Sequence, residues 1–459
     1  MKKIMTAMLA AALALAIGSP AVLAQDTALY KLRLSLSLPD LPQNQDLPYR
    51  YPTMQQSLEL SNNFYDLGYR GIDLLGDKLI RVDEAGATPG KLLLNKTAKY
   101  LLSLGFVRYG SELPITLGIW AHEEFHRAVL GVSGVNATNG NWLLSRWDGT
   151  VYGVSDGQLS QLKAHDLKGL LYSYVAGVHA QSLSTQTNLL NDFYHKRIIY
   201  KNALYLYNAW YTWHYLRFST SNASNTVKVD APPHENLDPV QRDYAGADFT
   251  AWAYDMFSPD QPYTTRDPFP NGEGVNRRVG FSDLSPEAQD YLEKQERLSL
   301  INFINPAVFF VNSINLGRHV SFNFFGQYVP THFGNDIGML LPVRYRKSNL
   351  LLGLHTYNNR RQTFGGLEIG LLEKALDKRD RLQGSLVLHA WVQPENQSFF
   401  DEKGKAGGAA ELNLKYSLGR HFSSFVNVAG KTRGWQAGNP YLNKNVSARV
   451  GLNYDLRTY

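Results

Sequence analysis

From Arg318 to the C-terminus apolar and polar residues alternate with a period of two, the pattern of strands with one apolar and one polar face. The alternation predicts about eight strands, at 319–329, 337–346, 350–357, 364–372, 383–393, 409–418, 422–431 and 446–457. In the last, Val446, Ala448, Val450, Leu452, Tyr454 and Leu456 alternate with Ser447, Arg449, Gly451, Asn453, Asp455 and Arg457. A further strand is expected far upstream at 30–38, where Leu32, Leu34, Leu36 and Leu38 alternate with Arg33, Ser35 and Ser37. Between about 91 and 314 the period is helical instead. Helices are expected at 91–106, 120–130, 166–191, 197–218 and 286–304, the last with Ser285 as N-cap and Pro286 at the first helical position. The pattern switches near Asn305 and Pro306. The expected fold class is therefore α+β and multidomain: a mainly helical domain over 25–315, followed by an antiparallel β-barrel of about eight strands over 316–459.

Strands of roughly ten residues with one apolar face suit a transmembrane barrel, whose outer face meets lipid and whose lumen is polar. A soluble barrel with the apolar face turned inward has the same alternation. The connections favour the membrane form: long at 394–408 and 432–445, tight at 347–349 and 419–421, as in barrels whose short turns face the periplasm. An even strand count would hang the helical domain on the short-turn side. Against this, Tyr459 is out of phase with Leu452, Tyr454 and Leu456, whereas such barrels usually end on an in-phase aromatic.

Residues 1–24 have Lys2 and Lys3 ahead of an apolar run and Val22-Leu23-Ala24 at its end, a secretory signal peptide. Export to the outer membrane with a periplasmic helical domain is expected, a soluble periplasmic or secreted protein being the alternative. The chain has no cysteine, so disulfides, thiolate nucleophiles and thiolate metal ligands are excluded. Its net charge of +6 is too weak a bias to imply nucleic-acid binding.

Residues 121–127 read Ala-His-Glu-Glu-Phe-His-Arg. On a helix His122 and His126 lie one turn apart and can share one ion, while Glu123 sits beside the first of them. This resembles the His-Glu-x-x-His zinc metallopeptidases known as zincins. The resemblance covers this helix alone. It implies a Zn2+ cofactor bound by His122 and His126, with Glu123 as the catalytic general base and a peptide or protein as substrate. A third protein ligand is still required. The metzincin extension is absent, since Val129 and Val132 stand where it needs Gly and His, and no Glu occurs between Glu124 and Glu235 to serve in the gluzincin manner.

Two ligand candidates stay open, His179 as the first choice and Asp248 as the alternative. His179 lies on the next long helix, on a stripe with Leu171, Val175 and Leu183, and Gly177 beside it allows another helix to approach closely. Asp248 follows Gly246, a Gly-x-Asp sequence loosely reminiscent of zincins that use aspartate, although it also fits a helix N-cap. Asp166, Gln181 and Asp243 are candidate ligands or partners that orient the imidazoles, and Tyr174 and His214 are candidate oxyanion donors. The aromatic stretch 200–218 suits either a membrane surface or a buried core. The resulting expectation is an exported zinc hydrolase anchored in outer-membrane lipid. The rival is a non-catalytic outer-membrane binding or structural protein.

Overall fold

A computed structural model describes residues 29–47, 52–81, 88–195, 199–270 and 272–458. The expected signal peptide and Tyr459 lie outside them. The helices that matter below are α1 (Met54–Leu79), α2 (Pro89–Gly105), α3 (Gly118–Val132), α4 (Leu167–Tyr194), α5 (Asn202–Ser219), α6 (Asp248–Phe257) and α7 (Pro286–Ser299). Ser285 caps α7 by accepting the Ala288 N–H, with Pro286 at its start. Helix α1, 26 residues long, is the element the helical periodicity does not announce. A small hairpin, β2 (Thr138–Asn141) and β3 (Trp147–Tyr152), follows α3.

The remaining strands are β1 (Leu29–Leu41), β4 (Ile314–Leu316), β5 (Val320–Phe322), β6 (Phe325–Thr331), β7 (Gly334–Tyr345), β8 (Ser348–Asn358), β9 (Thr363–Ala375), β10 (Leu382–Pro394), β11 (Gly404–Ser417), β12 (Phe422–Lys431) and β13 (Asn445–Thr458). They form one antiparallel sheet of 11 strands in the order β1-β13-β12-β11-β10-β9-β8-β7, with β5 leading to β4 and β6 also pairing β7. Two features differ from the expected eight-stranded barrel. The upstream strand joins the sheet beside β13, and the stretch expected as one strand at 319–329 is broken at Asn323, whose N–H bonds the Pro342 carbonyl. Among the described residues β1 and β4 are not paired with each other, so hydrogen bonds do not close the sheet into a ring.

The two faces of the sheet differ sharply. Leu354, Leu388, Leu412, Leu414, Val428 and Leu452 are exposed, whereas His389, Lys415, Asn427, Asn453 and Asp455 are buried. The apolar face therefore points away from the rest of the molecule, and the polar face points in. Helix α4 runs along that inner face for about 42 Å at 1.5 Å per residue. At its start the Tyr172 hydroxyl donates to the Asn439 carbonyl (3.0 Å) in the long connection 432–444, and at its end Arg344 donates to the Phe193 carbonyl (2.7 Å) beside the short turn after β7. Below it, Glu373 binds Lys415, Arg33 and His195, and Arg33 also reaches Asp455.

The helical region thus lies across the inner face and against the long connections, where Phe399 packs on Phe257 and Tyr291, rather than hanging from the short-turn end. One core joins Phe125, Val129, Tyr174 and Trp252 to Tyr328, Tyr357, Trp391 and Trp435, so residue 315 marks a change of secondary structure and not a packing boundary. No helix among the described residues is long and apolar enough to cross a membrane by itself.

Candidate metal centre

Helix α3 is buried along nearly its whole length, which its apolar flanks Phe125, Ala128, Val129 and Leu130 require. One turn apart on it, His122 and His126 bring their rings to 4.7 Å between centroids, as the spacing demands. The carboxylate of Asp248 faces both, with Oδ2 3.3 Å from His122 Nε2 and 3.2 Å from His126 Nε2. One donor atom from each of the three lies within 4.8 Å of the others, a spacing that fits one metal ion.

Asp248 does not cap α6. Ala247 is the N-cap residue, and Asp248 occupies the first turn, where the helix dipole favours a carboxylate. Its N–H donates to the Tyr215 hydroxyl (3.1 Å). The chain turns into α6 through Gly246, whose φ of +72° and close approach to the Arg278 backbone suit only glycine. Trp252, one turn on, donates to the Thr331 carbonyl (3.1 Å) and pins α6 to β6.

Helix α4 supplies the opposite wall. Ser173, Gly177 and Gln181 are spaced i, i+4, i+8 and share one face. The Ser173 carbonyl lies 2.5 Å from His126 Nδ1, and Gln181 Oε1 lies 3.3 Å from His122 Nδ1. A carbonyl can only accept, so Nδ1 of His126 carries the hydrogen, and Gln181 is oriented the same way by its own amide N–H bond to the Gly118 carbonyl (3.4 Å). Both Nε2 lone pairs are thereby turned toward Asp248, as in metal sites where a second hydrogen bond fixes the tautomer. Gly177 lies directly over the pair: a Cβ there would overlap Nε2 of both rings. The donor set and this glycine-lined recess fit a bound metal ion.

His179 is not brought to the pair. Two residues beyond Gly177 it is turned by about 200° at 100° per residue, to the other side of α4. There its Nε2 hydrogen-bonds the Pro330 carbonyl (2.7 Å) and its ring packs on Tyr172 and Trp435. It is a core histidine, and burial pushes its pKa down to about 4.

The two neighbouring glutamates have different surroundings. Glu124 is paired with Arg127 (2.6 Å) and accepts from Asn139 (2.9 Å), which ties α3 to the β2–β3 hairpin. No hydrogen bond or ion pair among the described residues holds the Glu123 carboxylate. Burial pushes its pKa well above the ordinary range, with Asp248, Asp243 and Asp148 acting in the same direction and His126 opposing. At Asp248 burial also favours the neutral acid, but His126 and His122 outweigh it and hold the carboxyl far below its usual range. Burial lowers His122, whereas at His126 it is outweighed by Asp248 and Glu123, which raise the imidazole to about 9. Both imidazoles must be neutral to bind a metal ion, so metal binding here would be coupled to proton release.

The other expected residues fall outside this arrangement or at its border. Tyr174 is committed to Asp255 (3.0 Å) and Arg266 (3.3 Å). His214 is exposed and stacks on Trp210. Asp166 caps α4 through the Gly169 N–H, and Asp243 shapes the turn before α6 through the N–H groups of Ala245 and Gly246. The aromatic rings that do surround the histidines are Tyr211 and Tyr215 on α5, at 5.8 and 6.2 Å from His122, and Tyr244, at 5.9 Å from His126. The aromatic repeat on α5 signals them only in outline, since it continues past the site to the surface. Comparison of the chain with family models, with curated proteins and with solved structures returns no match.

Proposed function

We propose that the chain is an exported zinc-dependent hydrolase acting on peptide or protein bonds, held in the outer membrane by the outward face of its sheet. The observation that carries the catalytic part is the contrast within α3: His122 and His126 are aimed with Asp248 at one point, and the next carboxylate, Glu123, is buried beside them and bound to nothing. Glu124, by contrast, is tied to Arg127 and Asn139, whereas the carboxyl group of Glu123 is left open beside the two imidazoles. Zinc bound by His122, His126 and Asp248 would supply Lewis-acid activation of water and of a carbonyl group.

The chain's own residues would do the rest. Glu123 takes a proton from the attacking water and returns it to the leaving amine. Ser173 and Gln181 keep both imidazoles in the metal-binding tautomer through the reaction. The Tyr211, Tyr215 and Tyr244 rings surround the histidines and limit bulk water at the centre.

The membrane part is supported by the inverted sheet, with leucines and valines outward and Lys, Asn, His and Asp inward, as a lipid-facing wall requires. Glu123→Gln tests the mechanism. Zinc content should be unchanged, and hydrolysis of a casein-type substrate should fall by about 10²–10⁴-fold. Undiminished hydrolysis in that variant would remove Glu123 from the reaction.

A further inference from the structure

Helix α1 lies along the free edge of β1, where Ser35 and Ser37 point their backbone groups away from β13. Those groups are met by side chains of α1. Ser35 N–H donates to Asn63 Oδ1 (2.8 Å), and Asn63 Nδ2 donates back to the Ser35 carbonyl (2.6 Å). Ser37 N–H donates to Glu59 (2.8 Å), and Gln56 donates to the Ser37 and Leu38 carbonyls (3.2 and 3.1 Å). Gln56, Glu59 and Asn63 form one stripe of the helix at spacings of three and four. At the other side of the sheet β6 is treated alike: Gly326 N–H donates to the Ile304 carbonyl (2.7 Å) and Tyr328 N–H to Asn302 (2.8 Å). An open sheet edge cannot face hydrocarbon, because its N–H and C=O groups would have no partners. Here the β1 edge and two N–H groups of β6 are met by segments that are not strands.

The outer side of these segments carries exposed apolar residues, as the outer face of the sheet does. Helix α1 buries Met54, Leu58, Tyr65, Tyr69 and Ile72 together with Gln56, Ser57 and Ser61, and still exposes Phe64, Leu67, Leu74 and Leu75. Helix α2 buries Asn95, Lys99, Tyr100 and Ser103 and exposes Leu93, Leu94 and Leu101. A helix on a water-soluble protein turns a polar face outward. The charges on α1 are largely turned into seams: Asp66 pairs with Lys201, and Asp73 with Lys99 (2.7 Å). From Phe64 to Leu79 the outward stripe is about 23 Å long at 1.5 Å per residue. That is close to the roughly 25 Å apolar band of an outer-membrane barrel.

We propose that α1 and α2 are staves of the same lipid-facing wall as the strands, α1 sealing the β1 edge and the outward leucines of both helices meeting the acyl chains of the bilayer. This rests on the membrane reading of the sheet given above. A second copy of the chain could cover one flank, but the apolar exposure runs across the sheet and on over both helices, and only a surrounding apolar solvent covers such a surface. Neither helix needs to be apolar all round, since its inner face is packed against protein, as for a barrel strand.

The chain's lack of cysteine gives a clean test. Single variants Leu67→Cys and Leu101→Cys on the helices, Leu452→Cys on the sheet and Asp260→Cys at an exposed turn are made in the full chain. Each is labelled with an environment-sensitive fluorophore and placed in phosphatidylcholine–phosphatidylglycerol vesicles, with Leu74→Cys as a second α1 position should Leu67→Cys fold poorly. Acyl-chain-brominated phosphatidylcholine should quench the helix labels as strongly as the label at 452 and leave the one at 260 bright, while aqueous iodide should do the reverse. Iodide quenching at 67 and 101 with lipid quenching at 452 would overturn this proposal and leave the membrane sheet standing. Protection of the helix labels from both quenchers would overturn it in favour of a contact between copies. Loss of lipid quenching at 452 as well would overturn the membrane reading itself.

Discussion

Phe125 on α3 and Leu412 on β11 are both large apolar residues on regular elements, yet Phe125 is fully buried and Leu412 is 44% exposed. Polar residues show the same split in reverse: in the helical core Glu124 and Arg127 are a buried pair inside an apolar surround, whereas the whole inner face of the sheet is polar, with Asn427 and Asn453 buried and Lys415 buried against Glu373. The helical core around the metal centre is organised against water. The wall of strands, with α1 and α2, is organised as if its outer solvent were apolar. A single chain meets both conditions because the inner face of the wall, not its outer face, is what the helical core packs on.

The largest effect is expected in the core. Phe125→Ala removes a ring from the close-packed back of the metal helix and should cost about 3–5 kcal/mol in urea unfolding. The wall should respond to charge instead. Leu412→Arg should destabilise the folded protein in lipid vesicles by about 2–4 kcal/mol, as for a charge near the bilayer midplane. An exposed position in water would change by only about 0.5 kcal/mol. A change that small at Leu412 would erase the difference between the two regions and return the sheet to a soluble setting.

The strands were legible because a period of two survives whichever face is inside. Thus 422–431 is the observed β12, and 446–457 lies within one residue of β13 at each end. The direction of the apolar face was not legible, since alternation has no sign. Helix α1 was hidden because its apolar residues are divided between Tyr65, Tyr69 and Ile72 facing in and Phe64, Leu67, Leu74 and Leu75 facing out, so no single apolar stripe announces a helix against a core. The motif helix was legible from its helical period together with the spacing of His122, Glu123 and His126.

Asp248 was legible as a candidate, but the choice between it and His179 was not, because apolar periodicity on α4 selects the stripe through Leu171, Val175, His179 and Leu183, which packs on the sheet. The stripe that faces the histidines, Ser173, Gly177 and Gln181, is small and polar, and its signal is the glycine. Asp248 reads as an N-cap by residue type. Only the preceding turn at Gly246 shows that Ala247 takes that place and frees the carboxylate.

The central claim is that His122, His126 and Asp248 hold one metal ion and that His179 belongs to the core. Zinc content per chain, measured on purified folded wild type, Asp248→Ala and His179→Ala, tests it most directly. The account predicts one zinc in the wild type, loss in Asp248→Ala and retention in His179→Ala. Zinc retained in Asp248→Ala but lost in His179→Ala, or absent from well-folded wild type, would contradict it.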